Sequence, residues 1–569
     1  MSRSLVFTLF ISLFSCNSSG QVYDSFFSQK TDSLDRIEYI DSSIKQFTRF
    51  PYAIKVRNQD QFNHINKSLK EAIEAGETNI IIKIDKGVYH FAENHIVIEK
   101  GQYSDVSIKI EGNHAVLTSD VYYNGGDSYM NTPWTELKYA DGVIEVINPD
   151  TKLCKIPCIN DYSADQKSNL TKLQITKWYQ APTFNIEKID TSGIYFLADE
   201  IKYVEAFGRK GYTINYDFMY NGLPPRFRLY DKTLERNHIA STFLRLGFSA
   251  LRYVEITGIE FKGNKKKASI IELNNIQAKK IVIKKCSFDA LEGNALSAVN
   301  TDNVLLEKCV IKNTSGNEVS FTNGCHNVCV KNNIFENCGI ALSNSLCIRC
   351  NESEYYIADN VFRDFGYCAI AVGLWHGHTK TKGTKGIIER NEIYFTPEYA
   401  ANKEKHTLMD GGAVYVWTQN DDAIIRYNYI HDYVGMRSYS GVYCDDGASN
   451  CKIYGNIILN TPNGCSILSH KVTDQKASWK NNMYNFIANN IVDGSIIFEG
   501  YGLEERHCVK GVNLRLNNEI RQQYSNRLNG LEFALDDIEV LDWSRENGRL
   551  RLPVKYERIA KKMGIKRYR

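Results

Sequence analysis

Three aspartates lie in two short segments where glycine and aromatic residues alternate with small apolar residues. Asp410 begins the segment DGGAVYVW, and Asp445 with Asp446 ends the segment SGVYCDD. Two carboxyl groups that flank a glycosidic bond can hydrolyse it, one as the general acid and the other as the base or nucleophile. We therefore predict a catalytic pair formed by Asp410 with Asp445 or Asp446. The competing interpretation is structural, because aspartate before glycine is common in plain turns.

The two aspartate segments align when each is counted back by the same number of residues from the asparagine that follows it, so that Tyr415 overlies Tyr443. Because side chains alternate between the faces of a strand, Tyr415, Trp417, Tyr443 and Asp445 share the outer face. An exposed shelf of aromatic rings beside an acid, on strands about 4.8 Å apart, is typical of a sugar-binding cleft. Asp446 falls at the following turn, and the choice between Asp445 and Asp446 stays open.

Further polar and aromatic residues surround these segments and are candidates for substrate binding. In chain order they are Trp375, His376, His378, His406, His431, Arg437, His470 and Glu499. Such side chains can stack on sugar rings or hydrogen-bond to hydroxyl groups. For each histidine the competing interpretation is a structural role, and Arg437 has the equal alternative of a solvated loop charge.

A pattern of apolar alternation leading to one fixed position repeats through the second half of the chain. The residues at that position, spaced by 23 to 37 residues, are Gly258, Cys286, Cys309, Asn333, Asn360, Asn391, Asn428, Asn456 and Asn490. Each copy is rich in β-branched and aromatic residues with a period of two, which indicates a strand. Because one copy cannot bury its apolar face alone, the copies must stack. We predict an all-β fold, a parallel β-helix solenoid with stacked inward asparagines, over an ordinary β-sandwich.

The repeat and the composition divide the chain into five segments. These are a signal peptide and tether at 1–20, a capping helix with the first coils at 50–118, an inserted β-rich subdomain at 119–245, the main β-helix at 246–505 and a C-terminal capping segment at 506–569. The helix is indicated by the apolar spacing in residues 62–76. We expect it to cover the N-terminal end of the solenoid.

The first residues indicate export. After Arg3, an apolar run of about ten residues is too short to span a bilayer and leads into Leu13-Phe14-Ser15-Cys16. This resembles a bacterial lipobox, so we predict a lipid on Cys16 and a place in the periplasm or at the outer membrane of a Gram-negative bacterium. Ordinary signal cleavage is the alternative. No later segment predicts a transmembrane helix.

The other cysteines are predicted to be buried free thiols. Export would normally favour disulfides, but Cys286 and Cys309 fall at the repeated position, where a solenoid stacks like residues. Cys347 and Cys350 have the spacing of half a zinc site, and no second pair follows them. We therefore predict neither a structural metal nor a cofactor.

The charge balance limits the classes of partner. The chain of 569 residues carries 69 Lys and Arg against 66 Asp and Glu, a net charge of +3. No broad positive field points to nucleic acid, and no nucleotide-binding glycine loop is present. We expect a monomer whose partner is a polysaccharide or oligosaccharide, with a membrane contact only through the lipid anchor.

Several motifs together resemble a known family. The asparagine-bearing coils, DGGAVYVW, YNYIHD, GVYCDDGASN and the late ENGRLRL are similar to bacterial right-handed β-helix glycoside hydrolases of the pectate-lyase-like fold. Within these, the chain most resembles the fucosidase/xylanase-type family of Bacteroidetes polysaccharide degraders. The resemblance implies catalytic acids in the DGG and DDG segments, which here are Asp410 and Asp445 or Asp446.

Three functions compete at this stage. The first is hydrolysis of a plant or algal polysaccharide by the carboxylate pair. The second is β-elimination on a uronate-containing polysaccharide, with Arg437 or Lys471 as the base. In that case Ca²⁺ is a possible cofactor held by four aspartates, Asp421, Asp422, Asp445 and Asp446. The third is a noncatalytic carbohydrate-binding surface protein on the same scaffold.

Overall fold

The computed structural model describes most of residues 50–499 and four short strands after them. Its gaps within 50–499 are 92–94, 120–133, 137–143, 157–163, 177–182, 199–200, 207–208, 215–225, 232–241, 265–267, 292, 315–317, 340–345, 374–384, 402–410, 418–421, 434–438, 446–447, 449–450, 462–464, 471–484, 489 and 493. Beyond them it describes 508–510, 514–515, 544–546 and 549–551. Residues 1–49, with the predicted signal peptide and Cys16, lie outside the described residues.

The N-terminal end of the fold is covered by helix, as predicted. The elements there are β1 (Tyr52–Val56), α1 (Gln59–Asn63), α2 (Ile65–Glu74), β2 (Asn79–Ile84), β3 (Gly87–His90) and β4 (Ile96–Thr118). The Asn58 side chain accepts a hydrogen bond of 2.9 Å from the Gln61 N–H and so caps α1. Helix α2 buries Ile65, Leu69 and Ala72, which share one helical face. That apolar face closes the first coils.

The chain leaves the solenoid after β4 and returns to it at β14. In between lie β5 (Trp134–Glu136), β6 (Glu145–Asn148), β7 (Leu153–Ile156), α3 (Ala164–Asn169), β8 (Leu170–Thr176), β9 (Thr183–Asp190), β10 (Gly193–Leu197), β11 (Ile201–Ala206), β12 (Arg209–Ile214) and β13 (Arg226–Asp231). Seven of these strands form an antiparallel sheet, and β11 pairs with β12. Leu173, Phe184 and Phe196 belong to a separate hydrophobic core there. The inserted β subdomain is therefore present, while the boundaries given for all five segments remain predictions.

The remaining strands build the solenoid coil by coil. In chain order they are β14 (Leu244–Asn264), β15 (Ser269–Asn274), β16 (Lys280–Lys284), β17 (Ser287–Leu291), β18 (Asn294–Val299), β19 (Val304–Glu307), β20 (Val310–Lys312), β21 (Val319–Thr322), β22 (Val328–Lys331), β23 (Ile334–Cys338), β24 (Leu346–Asn351), β25 (Glu354–Ala358), β26 (Val361–Phe365), β27 (Cys368–Gly373), β28 (Lys385–Glu389), β29 (Glu392–Tyr394), helix α4 (Pro397–Ala401), β30 (Gly411–Trp417), β31 (Asp422–Arg426), β32 (Tyr429–His431), β33 (Tyr439–Asp445), β34 (Lys452–Tyr454), β35 (Ile457–Leu459), β36 (Cys465–His470), β37 (Phe486–Ala488), β38 (Ile491–Val492), β39 (Ser495–Glu499), β40 (Cys508–Lys510) and β41 (Leu514–Arg515). A final hairpin joins β42 (Ser544–Glu546) to β43 (Arg549–Arg551).

Each strand from β15 to β38 pairs in parallel with the strand three places later, which makes three sheets. Sheet A runs from β16 and β19 to β40, sheet B from β17 and β20 to β41, and sheet C from β15 and β18 to β39. Crossovers between parallel strands of one sheet are right-handed. The chain is thus a right-handed parallel β-helix with three strands per coil.

The predicted asparagine ladder occupies the bend between sheets A and B. Its six members, all buried, are Asn333, Asn360, Asn391, Asn428, Asn456 and Asn490. The Asn360 amide oxygen, for example, accepts from both the backbone N–H of Asn333 at 2.9 Å and its side-chain amide at 3.0 Å. At the earlier coils Cys309 takes the same position, and its thiol faces the Ile283 carbonyl at 3.7 Å. The ladder satisfies polar groups that a dry core would otherwise leave unpaired.

The thiols follow the sequence prediction where the structure describes them. Among the described residues, twelve cysteines are buried and outside any disulfide, including Cys286, Cys309, Cys347 and Cys350. No cluster of three or more metal-ligating side chains occurs among the described residues. In the same part of the chain, no helix is long and apolar enough to cross a membrane.

One carboxyl group is buried inside the solenoid wall. Glu318, just before β21, is 0% exposed, and neither of its carboxyl oxygens makes a well-formed hydrogen bond. Burial raises the pKa of Glu318 well above its ordinary value, and nearby Cys338 raises it further. Contacts with the Thr314 hydroxyl and the Gly339 N–H oppose that rise without cancelling it. The folded state therefore keeps this proton to a higher pH than the unfolded chain does.

Glu318→Gln is expected to flatten the pH dependence of stability. Because the folded pKa is raised, the stability linked to this proton is complete below the unfolded pKa of about 4.3 and is lost as pH rises towards the folded value. The denaturant midpoint of the wild type should therefore fall between about pH 5 and about pH 8 by more than that of Glu318→Gln. Glu260→Gln is the control, and it alters a partly exposed carboxylate paired with Lys262 at 2.8 Å. Its denaturant midpoint should fall by as much as that of the wild type. Equal falls in all three proteins would contradict the assignment.

Candidate functional site

Four of the candidate positions share one register on sheet C. Trp417 pairs with Asp445, and Tyr415 pairs with Tyr443, as the sequence alignment predicted. The pairing of Cys444 with Ser469 places Asp445 opposite His470, and His470 pairs with Glu499 on the next rung. Trp417, Asp445, His470 and Glu499 thus form a row along the solenoid, with about 4.8 Å between neighbours. We call these four positions the acidic row.

Asp445 is hydrogen-bonded through both carboxyl oxygens. Its Oδ2 accepts from the Tyr415 hydroxyl at 2.5 Å, and its Oδ1 lies 2.8 Å from His470 Nδ1. Asp445 is only 5% exposed, whereas the His470 side chain is 33% exposed. An ionised carboxylate only accepts hydrogen bonds, so opposite it Nδ1 of His470 is the donor, and in the neutral ring Nε2 then carries the lone pair. Asp445 therefore fixes the orientation and the tautomer of a partly exposed histidine.

The aromatic residues do not form the exposed shelf that the sequence predicted. Tyr415, Tyr443 and Trp417 are 3%, 3% and 4% exposed. The Tyr415 ring packs edge to face on Trp417 at 5.2 Å and on Tyr443 at 5.0 Å between centroids. Rungs about 4.8 Å apart bring such rings into contact, so they cover one another instead of facing solvent. Of the three, Tyr415 supplies Asp445 with a hydroxyl donor.

The predicted pair of Asp410 with Asp445 or Asp446 stays a prediction, because Asp410 and Asp446 lie outside the described residues. The backbone of Glu499 lies at the same register as Asp445 two rungs later, or about 10 Å away along the solenoid. Glu499 is therefore a further candidate for the second carboxyl.

The other candidates fall into two groups. Trp375, His376, His378, His406 and Arg437 lie outside the described residues, and so do Asp421 and Lys471. His431 is described, but it lies on sheet B rather than sheet C. Asp422 lies on sheet A, so it is not on the same sheet as Asp445, and the described residues do not assemble the hypothetical calcium ligands.

His431 belongs to a cluster of its own. It stacks on Tyr394 at 4.8 Å and on Tyr429 at 4.0 Å, and its Nδ1 lies 2.9 Å from Asp432 Oδ2. Burial lowers the pKa of His431, but hydrogen bonds to Asp432 and Glu392 outweigh it, so the pKa is raised overall. This second Asp–His pair resembles Asp445–His470 in its contacts, which makes it a matched control.

The contact between Asp445 and His470 was not predicted from sequence, although both residues were candidates. Counting back from the next ladder asparagine, Asn490, does not align His470 with Asp445, because residues 471–484 are inserted between β36 and β37. Aligning the strand patterns SGVYCD and CSILSH directly, apolar position on apolar position, would have placed them together.

Comparisons with known proteins give only distant structural neighbours. No protein-family model matches the chain, and no curated protein is significantly similar to it. A solved glycoside hydrolase aligns with 84% of this chain and 99% of its own at 10% identity and a TM-score of 0.46. The xylose complex of XylC aligns over 89% and 90% at 9% identity and a TM-score of 0.40. The A-module of the Azotobacter vinelandii mannuronan C-5 epimerase AlgE6 aligns over 81% and 99% at 9% identity and a TM-score of 0.36. At these scores we infer neither reaction nor substrate from them.

Proposed function

We propose that the protein is a polysaccharide-cleaving enzyme, a glycoside hydrolase whose site is the acidic row on sheet C. The observation that carries the proposal is the hydrogen bond from His470 Nδ1 to the buried carboxylate of Asp445. A histidine whose Nδ1 is held by a carboxylate presents Nε2 as a general base. The rigid stack of rungs holds the carboxylate and the imidazole at a fixed spacing.

In the proposed mechanism His470 performs the proton transfer and Asp445 positions it. Nε2 of His470 takes a proton from water as the water attacks the anomeric carbon, and Asp445 stabilises the imidazolium that forms. A second carboxyl, for which Asp410, Asp446 and Glu499 are the candidates, gives a proton to the departing glycosidic oxygen. Attack by water from the side opposite the leaving group inverts the anomeric centre.

Asp445 is better suited to positioning than to direct attack on the sugar. Tyr415 and His470 both donate to it, which favours its ionised form, so it is not the protonated acid of the reaction. Its 5% exposure leaves little surface for a sugar ring. The role predicted for Asp445 from the sequence therefore changes from general acid or nucleophile to the partner of His470.

Hydrolysis is favoured over β-elimination by the charges on the same strands. Elimination next to a uronate carboxylate needs a cation to neutralise that group, and β30, β33, β36 and β39 contain no lysine or arginine. Elimination remains the second candidate, because an Asp–His pair with a tyrosine hydroxyl beside it can also remove a carbon-bound proton. Export, a lipid on Cys16 and a monomeric state complete the proposal, since a polysaccharide too large to enter the cell must be cleaved outside it.

Product analysis on a panel of neutral and anionic plant and algal polysaccharides tests the proposal. The wild type should generate new reducing ends without the ultraviolet absorbance of an unsaturated sugar. His470→Ala should lose at least about 10²-fold in rate, the usual contribution of a general base, while His431→Ala on sheet B should keep its activity. Absorbing products would move the chemistry to elimination, and equal activity in all three proteins would remove His470 from the mechanism.

A further inference from the structure

Arg349 lies on the outer face of sheet C, at a distance from the acidic row. Arg349 on β24 pairs with Ala371 on β27, which in turn pairs with Tyr415 on β30. Arg349 thus occupies the register position of Tyr415 two rungs earlier, about 10 Å away along the solenoid. The repeat alone does not show which charges on a strand lack a partner, so Arg349 is not among the residues predicted from the sequence.

The guanidinium of Arg349 has no carboxylate partner among the described residues. Its neighbours at the same register are Ser320 and Ala371, which are uncharged. With the Asn351 amide oriented so that its oxygen faces the guanidinium, that oxygen accepts from Nη2 at 2.8 Å and Nε at 3.0 Å. Arg349 is half-buried, and burial lowers the pKa of its guanidinium from the ordinary value. Arginine nevertheless stays charged near neutral pH, so a partly desolvated positive charge remains.

Arg245, on the same face, is an arginine with a carboxylate partner and a structural role. It stands at the same register position four rungs earlier, and its Nε is 2.7 Å from the Glu272 carboxylate on the adjacent rung. A partly buried charge without a counter-charge costs stability. Arg349 is such a charge. The Asn351 amide oxygen fixes the orientation of its guanidinium but does not neutralise its charge.

We propose that Arg349 is a substrate subsite that binds an anionic group, a carboxylate or a sulfate, on the polysaccharide cleaved at the acidic row. A planar guanidinium matches both anions through paired N–H donors. The preceding rung presents Ser320 and Thr322, small and partly exposed, so the face is open on that side of Arg349, whereas β27 on the side of the acidic row is buried throughout. That the anion belongs to the cleaved polysaccharide rests on the proposed function, whereas the binding of an anion by Arg349 does not.

Distance separates this subsite from the bond-breaking step. Three rungs, about 14 Å, separate the Arg349 position from Asp445 along the solenoid. A contact so far from the reacting atoms stabilises the bound substrate and the transition state equally. Its loss therefore raises KM and leaves kcat unchanged. This also separates Arg349 from the neutralising cation of an elimination, which must contact the carboxylate at the reacting sugar.

The test compares Arg349→Gln and Arg349→Lys with Arg245→Gln on matched substrates. One polysaccharide is used in its native anionic form, after reduction of its carboxyl groups and after removal of its sulfates. Arg349→Gln should raise KM on the anionic form about 10-fold or more, the worth of a charge-assisted hydrogen bond pair, with kcat within about twofold. It should match the wild type on whichever modified form has lost the recognised anion, and this arm distinguishes carboxylate from sulfate. Arg349→Lys should recover part of the loss, and Arg245→Gln should change none of these values.

Binding measured without turnover keeps this inference separate from the proposed function. In a His470→Ala background, affinity gel electrophoresis should show weaker retention by the anionic polysaccharide when Arg349→Gln is added, even if the wild type cleaves nothing. Circular dichroism of each variant confirms that the solenoid is intact, and Arg349→Lys supplies the result if Arg349→Gln does not fold. Equal losses on anionic and neutral forms, or unchanged retention in both Arg349 variants, would overturn the subsite.

Discussion

Asp445→Asn is expected to reduce kcat by about 10²- to 10⁴-fold with little change in KM. The carboxylate presents two acceptors, one to Tyr415 and one to His470, whereas an amide presents one acceptor and one donor group. If the amide nitrogen faces His470, Nδ1 must accept and the proton moves to Nε2, where it blocks the base. If the amide oxygen faces His470, the tautomer survives but the charge that stabilises the imidazolium is lost. Both orientations slow the same proton transfer.

Steady-state kinetics with pH profiles, beside Asp432→Asn, would measure this effect. Asp432 makes the same contact with His431 on sheet B at 2.9 Å and also accepts from Asn460 at 2.8 Å. It has a positive φ of 50°, which asparagine tolerates, so the control substitution adds no backbone strain. Asp432→Asn should leave kcat unchanged. Comparable losses in the two variants would point to general destabilisation, and a loss below about fivefold in Asp445→Asn would leave the pair without a catalytic role.

The solenoid could be predicted because its signal repeats. Each coil must place apolar residues inward, and at the bend it must place a polar residue that can pair with the same residue of the next coil. The same pattern therefore recurs many times in the sequence. The same counting aligned Tyr415 with Tyr443 and Trp417 with Asp445, and the register confirms both pairs. The register between neighbouring rungs can be predicted locally, because it depends only on the number of residues between each position and the ladder asparagine that follows it.

Burial and contacts across the face could not be predicted in the same way. The alternation of side chains along a strand predicts that Tyr415 and Trp417 face outward, but it does not predict that neighbouring rings cover them. The contact from His470 to Asp445 depends on the length of an insertion, and the isolation of Arg349 depends on the neutral neighbours that adjacent rungs supply. These features arise where coils meet, so they require the full set of pairings.

Asn391→Ala is expected to lower the free energy of unfolding by about 3–5 kcal/mol, a large effect for one polar residue. The Asn391 amide oxygen accepts from the Asn360 N–H at 3.1 Å and from its side chain at 3.0 Å. Its amide nitrogen donates to the Ile357 carbonyl and to Asn428 Oδ1, both at 3.0 Å. Alanine replaces none of these, so buried groups on the two flanking coils lose a partner at once.

The shift of the denaturant midpoint measures this loss, with Asn274→Ala as the control. Asn274 is an exposed asparagine on β15 that accepts only from its neighbour Asn275 within the described hydrogen bonds, so its removal should cost less than about 0.5 kcal/mol. A ladder that only fills space would make the two variants alike. A ladder that satisfies the buried backbone at the bend separates them by several kcal/mol, because an unpaired N–H or carbonyl inside the solenoid has no water to replace the lost amide.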